Sequence, residues 1–265
     1  MRLIITRVQP QAQQWVQALG DQGHAAVALP LIETRGLRDV SALQRAWQNI
    51  SSYHALMYVS AHAVKYFFNE KPDLALISEG FDALETRAWG TGPGTRHALL
   101  AHGVPEALVD TPPIALGQFD SETLWQLVQT QVQPGTQVLI VRGDTPGSDE
   151  PAPQGVGRDW LAQHLAAAGA VVDYVVAYQR GAPQWDREQL EVAASAVQDG
   201  SVWVFSSAEA LANLSGLLPG QDWSGTPAVA THVRIAQAAR QLGFVRVALA
   251  SPALPSVLAS LESIT

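Results

Sequence analysis

The strongest strand signal in the chain is Val171-Val172-Asp173-Tyr174-Val175-Val176-Ala177, a β-branched run that leads into Tyr178-Gln179-Arg180. It has an earlier counterpart in Ala25-Ala26-Val27-Ala28-Leu29-Pro30-Leu31-Ile32, which leads into Glu33-Thr34-Arg35. Each follows a segment of helical period and a glycine. Pro30 removes a backbone donor, so the earlier run is expected at a sheet edge or a bulge. Other short apolar runs predict strands at Leu3-Ile4-Ile5, Ala55-Leu56-Met57-Tyr58-Val59 and Thr86-Arg87-Ala88-Trp89. Helical spacing appears between them. It runs after Pro10 through Trp15 and Leu19, from Ser41 to Ile50, from Ala61 to Phe68 behind Ser60 as cap, and through Ala98 to Gly103. A further helix starts at Ser121, read as its cap. Strands alternating with helices predict mostly parallel sheets with helices on both faces.

The second half of the chain echoes the first. Ala88-Trp89-Gly90-Thr91 with Ala98 and Gly103 matches Ala228-Val229-Ala230-Thr231 with Ala238 and Gly243 at an offset of 140. Ser60-Ala61-His62-Ala63-Val64 matches Ser207-Ala208-Glu209-Ala210-Leu211 at an offset of 147, and Leu19 and Gly23 match Leu165 and Gly169 at 146. Val138-Leu139-Ile140-Val141-Arg142 answers Leu3-Ile4-Ile5-Thr6-Arg7. Two related α/β units follow from this register, and the repeat alone places the division near residue 135. The stretch Gly143 to Gly157 has no counterpart and no apolar period. It is expected to be an exposed loop, either a lid over a site or an inert insertion.

Composition narrows the possible partners. With 265 residues, 47% of them hydrophobic, the chain can bury a large core. No apolar run reaches the roughly 18 residues a bilayer span needs, and the N-terminal apolar stretch is too short for a secretion signal. A cytoplasmic protein is expected. The formal charge of −8 argues against nucleic acid. Only Lys65 and Lys71 are lysines, so positive charge rests on arginine, whose planar fork suits carboxylates and phosphates. Without cysteine, and with no HxxxH or HExxH among seven histidines, neither a metal nor a thiolate nucleophile is expected.

Ligands of parallel sheets bind beyond the strands' carboxyl ends. Thr6-Arg7, Ser60, Gly90 to Thr95, Arg142, Ser206-Ser207 and Thr231 occupy such positions. Each precedes a helix, whose free N–H groups and dipole favour anions. Capping alone is the competing explanation for Ser60 and Ser207. Gly90-Thr91-Gly92-Pro93-Gly94-Thr95 is not GxGxxG, and Pro93 removes an N–H that would meet phosphate. No P-loop and no GxSxG elbow occurs. What remains is a set of hydroxyls, amides, arginines and one well-placed tyrosine, suited to steering a reactive substrate.

These motifs, in this order, resemble the uroporphyrinogen-III synthase family over nearly the whole chain. The residues that carry the resemblance are Leu3-Ile4-Ile5-Thr6-Arg7, Leu29-Pro30-Leu31-Ile32-Glu33, Ser60-Ala61-His62-Ala63-Val64, Gly90 to Thr95, Val141-Arg142-Gly143 with Gly157-Arg158, Val176-Ala177-Tyr178-Gln179-Arg180 and Phe205-Ser206-Ser207-Ala208. The resemblance implies two flavodoxin-like parallel-sheet domains joined by a two-stranded antiparallel ladder, with the active site in the cleft between them. One domain would comprise residues 1–35 and 180–265, the other 36–179, with crossings near 30–37 and 174–183. That replaces the division near 135.

The resemblance further implies a cofactor-independent lyase acting on hydroxymethylbilane, a linear tetrapyrrole polycarboxylate. Loss of the ring A hydroxyl gives an azafulvene. Ring D attacks through its substituted carbon to a spiro intermediate, which fragments and recloses with ring D inverted. The uncatalysed closure gives the uninverted isomer, so restraint of the substrate is the main task. Tyr178 matches the family tyrosine near the leaving hydroxyl, and a phenol stays protonated at neutral pH. The competing role is an aromatic plug on a hinge strand. Thr6, Ser60, Gly92, Thr95, Ser206, Ser207 and Thr231 are assigned to substrate binding, as are Arg7, Arg142 and Arg158 for carboxylates, with the holding of loops as the competing role of the arginines. Where the family has a threonine pair this chain has Arg234-Ile235, which removes a hydroxyl role and offers Arg234 as a carboxylate partner instead. A monomer is expected, with no metal, no cofactor and no membrane. Two alternatives stay open: a non-enzymatic two-domain binder of a small anion, and a nucleotide-dependent enzyme.

Overall fold

A computed structural model describes residues 1–72, 85–113, 120–144 and 156–262, with the backbone alone at 156–159. Along the chain run β1 (Arg2–Ile5), α1 (Gln11–Gly20), β2 (Ala25–Ala28) and β3 (Glu33–Gly36). They are followed by α2 (Ser41–Gln48), β4 (Ala55–Tyr58), α3 (Ala61–Asn69), β5 (Arg87–Gly90), α4 (Pro93–Ala101) and β6 (Val109–Asp110). Next are α5 (Ser121–Val128), β7 (Gln137–Asp144), α6 (Val156–Ala167) and β8 (Val171–Gly181). The chain closes with α7 (Arg187–Gln198), β9 (Val202–Phe205), α8 (Ala208–Leu217), β10 (Ala228–Ala230), α9 (Val233–Leu242), β11 (Val247–Leu249) and α10 (Leu254–Leu261). The residues divide into two compact units, 1–34 with 181–265, and 35–180. β3 and β8, in which the chain passes from one unit to the other, are neighbours at the edge of one sheet.

The first unit is built on the order β2-β1-β9-β10-β11, with every adjacent pair parallel. Alternate residues of its central strands feed two cores. Ile4, Trp203, Phe205, Ala228 and Ala230 face α7, α8 and α9, while Leu3, Ile5, Val202, Val204 and Val229 face α1 and α10. Both faces are covered, which is why β1 and β9 read as unbroken apolar runs rather than alternating ones.

The second unit repeats the plan. Its order is β8-β7-β4-β5-β6, again parallel throughout, with β3 added beyond β8. Leu56, Tyr58, Ala88, Leu139 and Val141 face α2, α3 and α4, and Ala55, Met57, Trp89, Val138 and Ile140 face α5 and α6. The two-residue strand β6 is fixed to β5 by a forked pair, Arg87 Nε and Nη2 to Asp110 at 2.5 and 2.8 Å. The order in both units is the flavodoxin-like 2-1-3-4-5 once corresponding strands are aligned. β1-α1-β2 corresponds to β7-α6-β8, and the block α7 to α10 corresponds to α2-β4-α3-β5-α4-β6-α5. The repeat boundary near 135 is therefore real in sequence but is not a domain boundary. Each unit combines the leading block of one repeat with the trailing block of the other.

Several local expectations are corrected. The run 25–32 is not one strand, because β2 ends at Ala28 and Pro30 follows it, on what is indeed an edge strand. Leu29 and Leu31 are buried instead, and the backbone is pinned by Trp185 Nε1 to Pro30 O at 3.2 Å and Asn213 Nδ2 to Leu31 O at 2.8 Å. The cap of α5 is Asp120, not Ser121. Its Oδ1 accepts from the Thr123 backbone N–H at 2.8 Å, and that bond holds the Asp120 carboxyl below the usual range. The α2 helix stops at Gln48 and a 3-10 turn covers Ile50–Ser52. Gly143 and Asp144 belong to β7, and Val156 and Gly157 to α6. The remainder of the expected loop, 145–155, lies outside the described residues.

Three substitutions test the energetics. Tyr58 is fully buried, its hydroxyl has no hydrogen-bond partner among the described residues, and burial pushes its phenol pKa up. An unpaired buried hydroxyl costs about 1–3 kcal/mol, so Tyr58→Phe raises stability by about 1 kcal/mol; a lowered urea midpoint would refute this. Ser60 Oγ accepts the Ala63 N–H at 3.2 Å, whereas Ser207 begins α8 without a side-chain cap bond. Ser60→Ala should therefore cost about 1 kcal/mol in urea denaturation, and Ser207→Ala less than half of that.

Candidate functional site

In a sheet of this order the helices after two neighbouring strands leave on opposite faces, and the crevice at their carboxyl ends receives ligands. In the first unit the reversal lies between β1 and β9, since α1 packs on one face and α8 on the other. In the second it lies between β7 and β4, with α6 and α3 diverging in the same way. The candidate residues gather at these ends.

In the first unit, Thr6 and Arg7 follow β1, Ser206 and Ser207 follow β9, and Thr231 follows β10. Thr6 is buried and its hydroxyl donates to Val204 O at 2.7 Å, so it stitches β1 to β9 beneath the crevice. Arg7 stacks 4.0 Å over Trp15 and donates from Nη2 to Pro252 O at 3.1 Å. Its Nε is enclosed without a partner among the described residues, and burial lowers its pKa. Ser206 and Ser207 are half-buried. Thr231 is nearly buried and gives its backbone N–H to Phe205 O. His232 caps α9 by accepting the Arg234 N–H at Nδ1, leaving the Arg234 side chain exposed in the first turn.

In the second unit, Ser60 follows β4, Gly92 caps α4, Thr95 lies in that helix's first turn and Arg142 stands near the end of β7. Thr95 is buried against Gly90, where an added Cβ would fall 2.7 Å from Thr95 Cγ2. Arg142 stacks 4.9 Å over Tyr174, and its Nε, like that of Arg7, is enclosed without a partner among the described residues. The two arginines thus hold corresponding positions in the two units, each steadied by an aromatic ring. Arg158 lies in α6, and its side chain is outside the described residues.

Tyr178 reaches this second group through an irregularity. β8 pairs with β7 as Arg142↔Val176 and then Gly143↔Tyr178, leaving Ala177 unpaired. Such a bulge re-aims the side chains that follow it. Val172 packs on the α5–α6 face, and strict alternation would put Tyr178 there too, yet Tyr178 joins Val175 and Ala177 in the core beneath α2, α3 and α4. Its ring is 4% exposed, stacked on Tyr66 at 5.5 Å and tilted 6.0 Å from His62. Its hydroxyl lies 3.2 Å from Ser60 Oγ, and either group can donate. If Ser60 donates while accepting the Ala63 N–H, the phenol proton remains available to a third oxygen. Sequence reasoning did not single out Tyr66 or His62 as neighbours of Tyr178. Their i, i+4 spacing on α3 marks a shared face, but only the bulge shows that Tyr178 meets it.

The opposite, N-terminal end of β4, β5 and β7 holds a cavity of about 500 Å³ bordered by His54, Thr86, Arg87 and Gln131. These four side chains are engaged in structural bonds, Gln131 accepting from Trp89 Nε1. His54 Nδ1 accepts the Gln137 N–H, Thr86 donates to Tyr53 O, and Arg87 holds Asp110. No cluster of His, Asp or Glu suited to a metal occurs among the described residues, and no described helix is long and apolar enough to cross a membrane.

The profile of the family described as "Uroporphyrinogen-III synthase HemD" matches residues 13–258. The uroporphyrinogen-III synthase of Salmonella typhimurium is 26% identical over 270 residues, covering 96% of each chain, and that of Proteus mirabilis is 30% identical over 186 residues, covering 68% of this chain and 80% of its own. Among solved structures, uroporphyrinogen-III synthetase from Helicobacter pylori covers both chains fully at a TM-score of 0.58 and 15% identity. A mutant synthase from Thermus thermophilus covers 100% of this chain and 98% of its own at 0.55 and 15%. The structures agree in fold, and the profile spans nearly every strand end described above: the chain belongs to the uroporphyrinogen-III synthase family.

Proposed function

We propose that this protein closes hydroxymethylbilane with inversion of ring D, and that Tyr178 assists departure of the ring A hydroxyl. The observation that carries the assignment of Tyr178 is its hydroxyl bonded to Ser60 at the strand-order reversal of the second unit. Ser60 donates to the phenol oxygen, and the phenol donates to the leaving oxygen as the C–O bond breaks and the azafulvene forms. The water so released carries off the hydroxyl. Ring D then attacks, the spiro intermediate reopens and closes on the inverted ring, and the proton shed as that ring regains aromaticity returns to the phenolate. No other strong acid or base is required, because the same substrate cyclises unaided to the uninverted product, and the protein's task is to hold one conformation.

The substrate's carboxylates are assigned to the arginines. Arg142, with its guanidinium stacked on Tyr174, serves the second unit together with Arg158, and Arg7 and the exposed Arg234 serve the first. Gly92 and Thr95 at the start of α4, and Ser206, Ser207 and Thr231 at the strand ends of the first unit, offer hydroxyl and amide donors. Thr6 contributes by fixing β1 against β9. The expectation of a monomer rests on the family resemblance.

The test is the isomer ratio formed from hydroxymethylbilane. Wild-type protein yields the type III isomer in excess over the spontaneous type I isomer, and Tyr178→Phe, still folded by circular dichroism, forms type III at least about tenfold more slowly, as loss of one donor to a departing oxygen predicts. Exclusive type I product with wild-type protein would sink the proposal.

A further inference from the structure

We propose that Gly143 is a positioning residue, whose absent side chain, together with the unpaired Ala177, sets the Tyr178 hydroxyl against Ser60. The inference rests on the reading that Tyr178 acts on the leaving oxygen, and it concerns what holds the phenol in place.

Glycine inside a strand weakens it, so its presence there calls for a local reason. Gly143 lies within β7 and is absent from the glycines with positive φ, so its backbone would accept any residue. The reason lies across the ladder. A Cβ at Gly143 would stand 2.4 Å from Tyr178 Cζ, 2.6 Å from Cε2 and 2.8 Å from the hydroxyl oxygen. Carbon atoms rest at about 3.5–4.0 Å, so even a methyl group requires the outer half of the ring to move by about 1 Å. The ring is boxed in on other sides by Tyr66, stacked at 5.5 Å, and by the buried core beneath α3. The atoms nearest Gly143 are those of the phenol end, so the displacement falls on the hydroxyl, which already stands 3.2 Å from Ser60. The bulge is the other half of the device. Had Ala177 been paired, Tyr178 would project to the other face of the sheet and Gly143 would have nothing to accommodate. A hydroxyl misplaced by about 1 Å can cost about ten- to a hundredfold in rate.

The experiment compares wild type, Gly143→Ala, Tyr178→Phe and the double variant, all as full chains. Gly143→Ala should lower kcat for type III formation by about tenfold or more, with KM changed less than about twofold, and should cost nothing further in the Tyr178→Phe background. In samples carrying ring-labelled tyrosine, the NMR resonance missing from Tyr178→Phe is that of Tyr178, and it should shift in Gly143→Ala. Wild-type kcat in Gly143→Ala, an unmoved Tyr178 resonance, or equal additional loss of activity in the Phe background would each overturn the inference. If wild type itself forms no type III isomer, the parent reading fails, while the resonance still reports on Gly143. Should Gly143→Ala fold poorly, melting temperatures in a Tyr178→Ala background decide: the glycine substitution is harmless there if the ring is what it strikes, and equally damaging if it is not.

Discussion

Two strand pairings hold this protein together, β1 with β9 and β7 with β4. Each joins a β-α-β block to the rest of its sheet, Leu3 to Val202 in one case, where the blocks lie at opposite ends of the chain, and Val138 to Ala55 in the other, where they are consecutive. Each is parallel and buried on both faces, so it must be satisfied completely within the sheet, because no water reaches its amides. The same pairings create the strand-order reversals. The pairing at the reversal in each unit therefore lies directly beneath the crevice where its hydroxyl and arginine groups collect, and in the first unit Thr6, bonded to Val204 O, ties that floor together.

On this floor the two units have diverged. Arg7 and Arg142 keep equivalent places, and each is held by a ring, Trp15 or Tyr174. Ser60 and Ser207 also correspond, but only Ser60 caps its helix through its side chain. The tyrosine that bonds to Ser60 comes from the bulged end of β8, whereas the corresponding strand in the first unit, β2, is short and ends at Ala28 before Pro30. The groups gathered at these strand ends are hydroxyls, arginines and one tyrosine.

Much of the architecture was legible in the residues. Period and β-branching place the central strands, and repeated motifs reveal two related units, because buried parallel strands have few alternatives to continuous apolar runs. The boundary near 135 misled because repetition records sequence order, while β1 and β7 choose their partners by sheet pairing. The cap of α5 was misread because Ser121 and Asp120 are both good caps, and only backbone geometry shows that Oδ1 of Asp120 takes the Thr123 N–H. The bulge at Ala177 was invisible for a different reason. It is a property of register between two strands, and neither strand alone carries a mark of it. Gly143 did carry one, a glycine inside an apolar run, but its meaning depends on what lies opposite.

The exchanged halves also set a timetable for the growing chain. Residues 35–180 contain all the partners of the second sheet's core strands, so that unit can complete itself while the ribosome is still working. The leading block, β1 to β2, has no such option. Its missing neighbour β9 begins at Val202, and at about 5–20 residues per second the wait from β1 to β9 is roughly 10–40 s. Throughout that interval β1 presents an open, apolar edge of the kind that pairs readily with another chain. A protein whose finished form hides β1 between two parallel neighbours must therefore spend its synthesis with one side of that strand uncovered, and its yield in the cell depends on how well that one edge is shielded.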